Sequence, residues 1–317
     1  MNITTIVMLV LLVLCGFCYL MTGPDGYLSI LKIYQPTILN YRLKRLLLAV
    51  IAGSSLAASG TSMQALFRNP LADPHLFGIS GGAALGASIA IGFFSHQALT
   101  PSTGAILGGL LSFLLILSFA QAHGEKDLDR CLLLGILLNS LAASIITLLK
   151  TILPANKAQS LLFWLVGHIG IVGQTDLLFI VPLWILGLAI IFSIRHELEL
   201  LSFGQEESLL LGINTNRVLK LSIIANCILV GNVVAFAGMI GFLGLVVPHM
   251  LRILGYWNLK HLVPMSALAG ALAMTLFDCL SRVSFFYLHT EIPSGALAAL
   301  FLCPIFFYLL MKRRYHG

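Results

Sequence analysis

Residues 64–78 read QALFRNPLADPHLFG, a polar stretch with two prolines that lies between two apolar runs of membrane length. Pro70 and Pro74 prevent a continuous helix, because each removes a backbone N–H donor and clashes with the preceding turn. Within a bilayer, non-helical backbone is tolerated only where it is buried in protein or lines a water-filled space. We therefore interpret this stretch as the inner end of a pathway or as a cytoplasmic gate.

The composition of the whole chain supports a membrane location for those flanks. Of its 317 residues, 59% are hydrophobic and 9% carry a charge, which is typical of an integral membrane protein. A helix needs about 20 apolar residues to cross a bilayer. Runs without a charged side chain cover residues 1–24, 46–67, 74–124, 131–149, 177–194, 221–251, 261–277 and 292–311. We predict an all-α integral membrane protein of about ten transmembrane helices, in one domain over residues 1–317.

The distribution of Lys and Arg predicts the orientation. The first apolar run begins without Lys or Arg and is not followed by a small-residue cleavage site, so we expect a retained span. With ten spans, one side of the membrane receives eleven of the 18 basic residues. The positive-inside rule therefore places both termini in the cytoplasm. The other side includes YRLKR, residues 41–45, which indicates either an acidic partner outside or contact with lipid phosphates.

A second break, in AGMIGFLGLVVPHM at residues 237–250, resembles the first. Three pairs of residues are each displaced by 178 positions: Gly53 and Gly231, Gly60 and Gly238, Pro70 and Pro248. The pattern predicts two halves of common origin. An odd number of spans between them makes the halves inverted, as in many transport folds.

The segment from Arg195 to Lys220 is the largest predicted cytoplasmic connection. It combines four glutamates with three consecutive leucines, and Gly212 is suited to end a short helix and begin a sharp turn. We expect a short amphipathic helix pair here. Such a pair suits docking to a soluble partner, and an ordinary interfacial connection is the alternative.

Four blocks carry a family resemblance, and they follow one another in the family's order over nearly the whole chain. They begin with RLKRLLLAVIAGSSLAASGTSMQALFRNPLADPHLFGISGGAALGA, followed by LSFGQEESLLLGI, GFLGLVVPHMLRILG and EIPSGALAALFLCPIFFYLLMKRR. Together they resemble the permease subunits of the type II bacterial ABC importers for cobalamin, ferric siderophores and haem. The resemblance implies a homodimer or pseudo-dimer with a central pathway. It also implies two ATP-hydrolysing subunits inside, a substrate-binding protein outside, and import of a metal-chelate-type substrate by alternating access.

The resemblance assigns the outer basic cluster to the binding protein. In the family, arginines of an RLPR motif and one arginine in the ninth span meet glutamates on the two lobes of that protein. The matching residues here are Arg42, Arg45 and Arg282, and we expect their guanidinium groups near water. Lys44 replaces the usual proline of the motif.

The resemblance also assigns a cytoplasmic gate and a segment that couples to the ATPase. Asn69 contributes one gate element, and Leu128 and Asp129 contribute the other, although a small hydroxyl residue is common at the position of Asp129. The residues that match the coupling block are Gly204, Glu206, Glu207 and Gly212.

The fifth predicted span carries one narrow polar stripe. Its members recur at i, i+4, i+7 and i+11, which places them on one helical face: Ser140, Ser144, Thr147 and Thr151. Small hydroxyls suit a path that a bulky solute must traverse without being held. They also suit hydrogen bonds to neighbouring helices. The resemblance, in which this helix borders the central path of the dimer, favours pathway lining.

Several other functions lack the residues that they require. The chain has no G-x-x-x-x-G-K-[ST] phosphate loop, so a separate subunit must hydrolyse ATP. RHELE begins like a zinc-protease H-E-x-x-H motif, but Leu200 replaces the second histidine. We predict no enzymatic activity, no cofactor or metal and no nucleic-acid partner. An ion-coupled secondary transporter is the alternative function, with Asp278 as its candidate proton relay, although an ion pair beside Arg282 suits that residue better.

Overall fold

The computed structural model describes residues 3–21, 36–94, 99–123 and 128–313, and every regular element in these ranges is helical. The predicted all-α fold is confirmed. The α-helices are α1 (Ile3–Met21), α2 (Pro36–Leu66), α3 (Ile79–Phe93), α4 (Pro101–His123), α5 (Leu128–Ile152), α6 (Ala155–Val166), α7 (Gln174–Leu201), α8 (Gln205–Leu210), α9 (Thr215–Ala237), α10 (Leu243–Ile253), α11 (Leu259–Leu288) and α12 (Ser294–Arg313).

Within the described ranges, six helices are long and apolar enough to cross a membrane, namely α2, α4, α5, α7, α9 and α11. Four shorter apolar helices lie in α1, α3, α10 and α12. The predicted number of about ten is reached only when the four shorter apolar helices are added to the six that are long enough to span. The remaining two, α6 and α8, are short connections of 12 and 6 residues.

Helix α2 forms the centre of the bundle and packs tightly against α11, α9 and α10. Its contacts depend on small residues. A methyl group on Gly53 would collide with the carbonyl oxygen of Gly270 in α11, and one on Gly60 would collide with the backbone of Gly244 in α10. Ser59 of α2 also donates a hydrogen bond to Asn226 of α9. Close approach of backbones is how helices associate where lipid removes the hydrophobic driving force.

Two breaks in the helices meet inside the bundle. The first, residues 67–78, follows α2 and contains a 3-10 turn at Pro74–Phe77, which Asp73 caps by accepting a hydrogen bond from the His75 amide at 2.8 Å. The second, residues 238–242, separates α9 from α10. The His75 ring lies 2.9 Å from the carbonyl oxygen of Ile240, and the Pro74 ring packs on Gly244. The non-helical backbone predicted around Pro70 is confirmed. Residues 68–71 are exposed, and the part of the break that begins at Pro74 packs against the second break.

The two halves share an order of elements. In each, a long and largely buried helix (α2 or α9) precedes a break and then a short apolar helix (α3 or α10). The residues that suggested the repeat do not all correspond: Gly60 lies inside α2 whereas Gly238 ends α9 with a φ of 70°, and Pro70 lies in a break whereas Pro248 lies inside α10. The halves therefore share their helix order rather than these residues.

The predicted amphipathic helix pair in residues 195–220 is wrong. Helix α7 continues to Leu201 and α9 begins at Thr215, so only the six-residue α8 lies between them. The reason is an apolar stripe that runs on past Arg195, since the side chains of Ile191, Ile194, Leu198 and Leu201 are all buried. The turn predicted at Gly212 is confirmed by its φ of 76°.

Candidate functional site

One end of the bundle, which we call the basic end, gathers Arg42, Arg45 and Arg282 around Asp278. Arg45 is its centre. Its Nε and Nη2 atoms donate to the two carboxylate oxygens of Asp278, each at 3.0 Å. Nη2 and Nη1 also donate to Glu291, at 2.9 and 3.2 Å. One guanidinium therefore holds two carboxylates, one from α11 and one from the loop that follows it.

Arg42 and Arg282 bind the last turn of α1. Arg42 donates to the carbonyl oxygen of Leu20 at 2.6 Å, and Arg282 donates to that of Tyr19 at 3.1 Å. The Arg282 guanidinium also lies over the Tyr19 ring, 4.7 Å from its centre. The last carbonyls of a helix lack partners within the helix and carry a partial negative charge, so cations stabilise them.

The expectation that these guanidinium groups lie near water is wrong for two of the three. Arg42 is 7% exposed and Arg282 is 4% exposed. The physical reason is their bonding to α1, which covers them and which the sequence reasoning did not consider.

Asp278 is fully buried, and its charge is compensated. It forms an ion pair with Arg45 and accepts a 2.5 Å hydrogen bond from the Tyr19 hydroxyl. Separating a buried pair leaves an uncompensated charge and is costly, so we expect Arg45 and Asp278 to stay in contact. The expected ion pair of Asp278 is thus present, with Arg45 as its partner. Tyr19 and Glu291 were missed, and Glu291 begins one of the blocks that carry the family resemblance.

The gate residues lie at the opposite end, which we call the α8 end. Asn69 is exposed, and its side chain accepts a hydrogen bond from the Leu71 amide at 2.9 Å, which shapes the turn after α2. Leu128 and Asp129 begin α5, and their side chains lie outside the described part of the chain. Their pairing with Asn69 stays a prediction.

A cavity of about 770 Å³ opens at the α8 end between the ends of α2, α7, α10 and α12. Arg252 of α10 projects into it and donates a hydrogen bond to Gln64 of α2. The sequence reasoning missed this cavity. Its polar and aromatic lining includes Gln64, Arg68, Glu199, His249, Arg252 and Trp257.

The coupling residues form a compact turn whose apolar side chains point outward. The buried Ser208 hydroxyl donates to the carbonyl oxygens of Leu200 and Gly204, at 3.0 and 2.5 Å, which fastens α8 to the end of α7. The Glu207 side chain is exposed, whereas that of Glu206 falls outside the described residues. Four exposed apolar side chains, which we call the α8 patch, surround this turn: Phe203, Leu209, Leu210 and Leu211.

The polar stripe of α5 is exposed along its whole length in the single chain. Each hydroxyl donates to a carbonyl oxygen of α5 itself, at distances of 2.7 to 2.9 Å, for Ser140, Ser144, Thr147 and Thr151. Leu137, Leu141 and Leu148 are also exposed, so the stripe lies within a wider apolar face.

Asn139 faces the bundle, unlike the stripe, and the sequence reasoning gave it no role. Its side-chain amide donates to the His75 carbonyl at 2.9 Å and accepts from the Gly81 amide at 3.0 Å. In the sequence, Asn139 could have been noticed as an amide side chain in an otherwise apolar helix with small hydroxyls. Asn139 connects α5 to the first break.

Ten apolar helices, with two breaks that contact each other inside the bundle, define a multi-pass membrane protein of the kind that transport folds exemplify. The chain belongs to the FecCD transport family, which it matches over residues 3–312. It is therefore a membrane permease of the ABC type rather than an enzyme, in a family of the bacterial inner membrane, and the predicted family is confirmed.

The similar proteins cover most of the chain. The hemin transport system permease protein HmuU of Yersinia pestis is 37% identical over 87% of this chain and 83% of its own length. The Fe(3+) dicitrate transport system permease protein FecC of Escherichia coli is 32% identical over 94% and 92%. A solved structure of a metal-chelate type ABC transporter, in an inward-facing conformation, is 34% identical, with a TM-score of 0.85 over 96% of this chain and 97% of that one.

Proposed function

We propose that this chain is the permease subunit of an ATP-driven importer that moves a metal-chelate-type substrate from a binding protein to the cytoplasm by alternating access. The observation that carries the proposal is the 0.85 TM-score to a metal-chelate type ABC transporter over 96% of the chain. In this proposal the basic end faces outward and the α8 end faces the cytoplasm, as the distribution of Lys and Arg predicts.

The ATPase subunit binds at the α8 patch. Support comes from Leu210, which is 89% exposed at the end of α8, and from its exposed neighbours Leu209 and Leu211. An exposed apolar group of this kind marks an interaction surface. Ser208 supports a mechanical role, because it ties the patch to α7, so that a push on α8 is transmitted to a transmembrane helix.

The binding protein docks at the basic end through carboxylates that meet Arg45. Besides Asp278, Arg45 pairs with an exposed carboxylate, that of Glu291. Arg42 and Arg282 act beneath it by holding the end of α1. This assignment refines the docking site that the resemblance implies.

A second copy of the chain completes the pathway, with the α5 stripe facing the central path. Its exposure in the single chain supports this placement, since the four hydroxyls have no covering element within the described residues. Their internal bonds to α5 carbonyls leave oxygen lone pairs toward the path and no fixed charge. Such a surface offers a bulky chelate weak, exchangeable contacts.

The ion-coupled alternative is less well supported. Asp278 is the buried carboxylate that could serve as a proton relay in such a mechanism, and it is held by Arg45 and Tyr19. Both carboxylate oxygens of Asp278 therefore already serve a structural ion pair.

Purification and uptake test the proposal. The tagged chain, isolated from its own cells in mild detergent, is expected to carry an ATP-hydrolysing subunit and, at low salt, a binding protein. The complex is then reconstituted in liposomes and supplied separately with hemin, ferric dicitrate and molybdate, the last because the molybdate permease protein MolB of Haemophilus influenzae is 34% identical. Uptake of at least one probe should require ATP. Uptake that proceeds without ATP and stops with a protonophore would favour the ion-coupled alternative.

A further inference from the structure

The guanidinium of Arg45 has two edges in different environments. The edge formed by Nε and Nη2 holds Asp278, which is fully buried, and fixes the orientation of the group. The edge formed by Nη1 and Nη2 holds Glu291, whose side chain is 41% exposed. The four bonds use four of the five N–H donors of an arginine. A carboxylate from outside can therefore gain a two-bond contact only by displacing Glu291.

The backbone next to Glu291 is fixed, so its release needs only a change of side-chain rotamer. The Ile292 amide donates to the Ser284 hydroxyl at 3.0 Å, and the Ile292 carbonyl accepts from the Ser281 hydroxyl at 2.5 Å. These bonds hold the loop to α11 whether or not the Glu291 carboxylate stays on Arg45. An ion pair that is exposed on one side contributes little, and water readily compensates its loss.

We propose that Glu291 is an internal competitor that occupies the outer edge of Arg45 until a carboxylate on the binding protein displaces it. The partner group is an acidic side chain on a protein surface, because the edge is already shaped for a planar, two-oxygen acceptor. Asp278 keeps the arginine oriented during the exchange. The inference rests on the docking role given to Arg45 under the proposed function.

The competition lowers the affinity for the partner and favours its release. The binding protein must exchange one carboxylate contact for another, so its net gain at Arg45 is small. An importer needs such a contact, because the binding protein must leave after it has delivered its substrate. Glu291 provides an intramolecular replacement at the moment of departure.

The test measures affinity for the binding protein that co-purifies with the complex, with the permease and ATPase in lipid nanodiscs at low ionic strength. Glu291→Gln removes the competing charge and is expected to tighten binding by about 1.4-fold to 5-fold, the range that one exposed ion pair supports. Glu291→Ala is the second variant and should change the affinity in the same direction. Monodispersity and thermal stability confirm that each variant is folded.

Asp176→Asn is the matched control. Asp176 lies in the first turn of α7 and accepts a hydrogen bond from the Gly173 amide at 3.0 Å. The loop before α7 lies near the basic end, because its Gly167 carbonyl accepts from the Gly295 amide at the start of α12. The change adds the same charge to the same end and leaves Arg45 paired. It should leave the affinity within the error of wild type. Equal tightening by Asp176→Asn and Glu291→Gln would mean a general charge effect and would overturn the proposal.

Arg45→Lys separates the competitor from the docking site itself. Lysine keeps a positive charge beside Asp278 but has no second edge for a planar carboxylate. We expect weaker binding by Arg45→Lys, and no further effect of Glu291→Gln in that background. If Arg45→Lys weakens binding while the Glu291 variants leave it unchanged or weaken it, the competition is wrong and the docking role stands. If neither position affects binding, the docking role itself is wrong.

Discussion

At the basic end of the bundle, charged side chains are buried and paired, whereas at the α8 end apolar side chains are exposed. Arg42 and Arg282 have less than a tenth of their surface exposed, while Leu210 has 89% exposed. Each set lies in the environment that its residue type usually avoids. We therefore take two features as the candidate interaction surfaces: the exposed leucines of the α8 patch, and Arg45 with its exposed partner Glu291.

The largest expected effect separates the two carboxylates of Arg45. Arg45→Ala removes the cation that is paired with the buried Asp278, and loss of one partner from a buried pair destabilises a protein by about 3–5 kcal/mol. Glu291→Ala removes only the exposed partner and should cost about 0.2–1 kcal/mol. Thermal unfolding in detergent compares the two. Equal losses of stability in the two variants would show that the Asp278 and Glu291 contacts of Arg45 do not differ in strength.

A charge in the α8 patch should affect the ATPase contact and leave the permease folded. Leu210→Glu removes an apolar side chain worth about 1.5–3 kcal/mol when buried, so binding of the ATPase should weaken by about tenfold or more. Asn216→Glu, a half-exposed position in the first turn of α9, is the control for added negative charge. Co-purification and ATPase stimulation measure the effect. If the Leu210→Glu complex assembles as well as wild type, the α8 patch is not the ATPase contact.

The contact between Asn139 of α5 and the first break should stabilise the fold without involving the basic end or the α8 patch. Asn139→Ala leaves the Gly81 amide and the His75 carbonyl without their side-chain partner, at a cost of about 1–3 kcal/mol. Ser140→Ala, next along the helix, removes only an exposed hydroxyl and serves as the control. Thermal unfolding of the two variants should differ clearly. Similar midpoints would mean that the break is held by packing alone.

The smallest expected effect concerns the face of α5. Single cysteines at Ser144, Leu141 and Ile145 are compared for their rate of modification by a water-soluble thiol reagent in each nucleotide state. If the stripe lines the path, Ser144→Cys reacts fastest in at least one state. Uniform slow reaction at all three positions would indicate that the stripe faces lipid or protein.

The sequence predicted the class of fold from the length of its uncharged runs, and the first break from Pro70 and Pro74. Both features depend only on residues that are close together in the chain. The sequence did not predict the end of α7, where Leu198 and Leu201 extend a buried stripe past the charged Arg195. It also did not reveal that Arg42 and Arg282 cap α1, since that bonding joins residues 22 and 263 positions apart. Contacts of this kind depend on how helices pack, which no local pattern encodes.

The meeting of the two breaks also constrains how the chain enters the membrane. Helix α10 has 11 residues and α3 has 15, so at 1.5 Å per residue they span about 16 and 22 Å of a hydrocarbon layer about 30 Å thick. Neither can cross alone, because lipid cannot satisfy the non-helical backbone that makes up the difference. Each half-span must therefore be inserted together with a longer neighbour. The contact between the two breaks joins His75 to Ile240, which is 165 positions later in the chain. It can therefore form only after the second break has been synthesised.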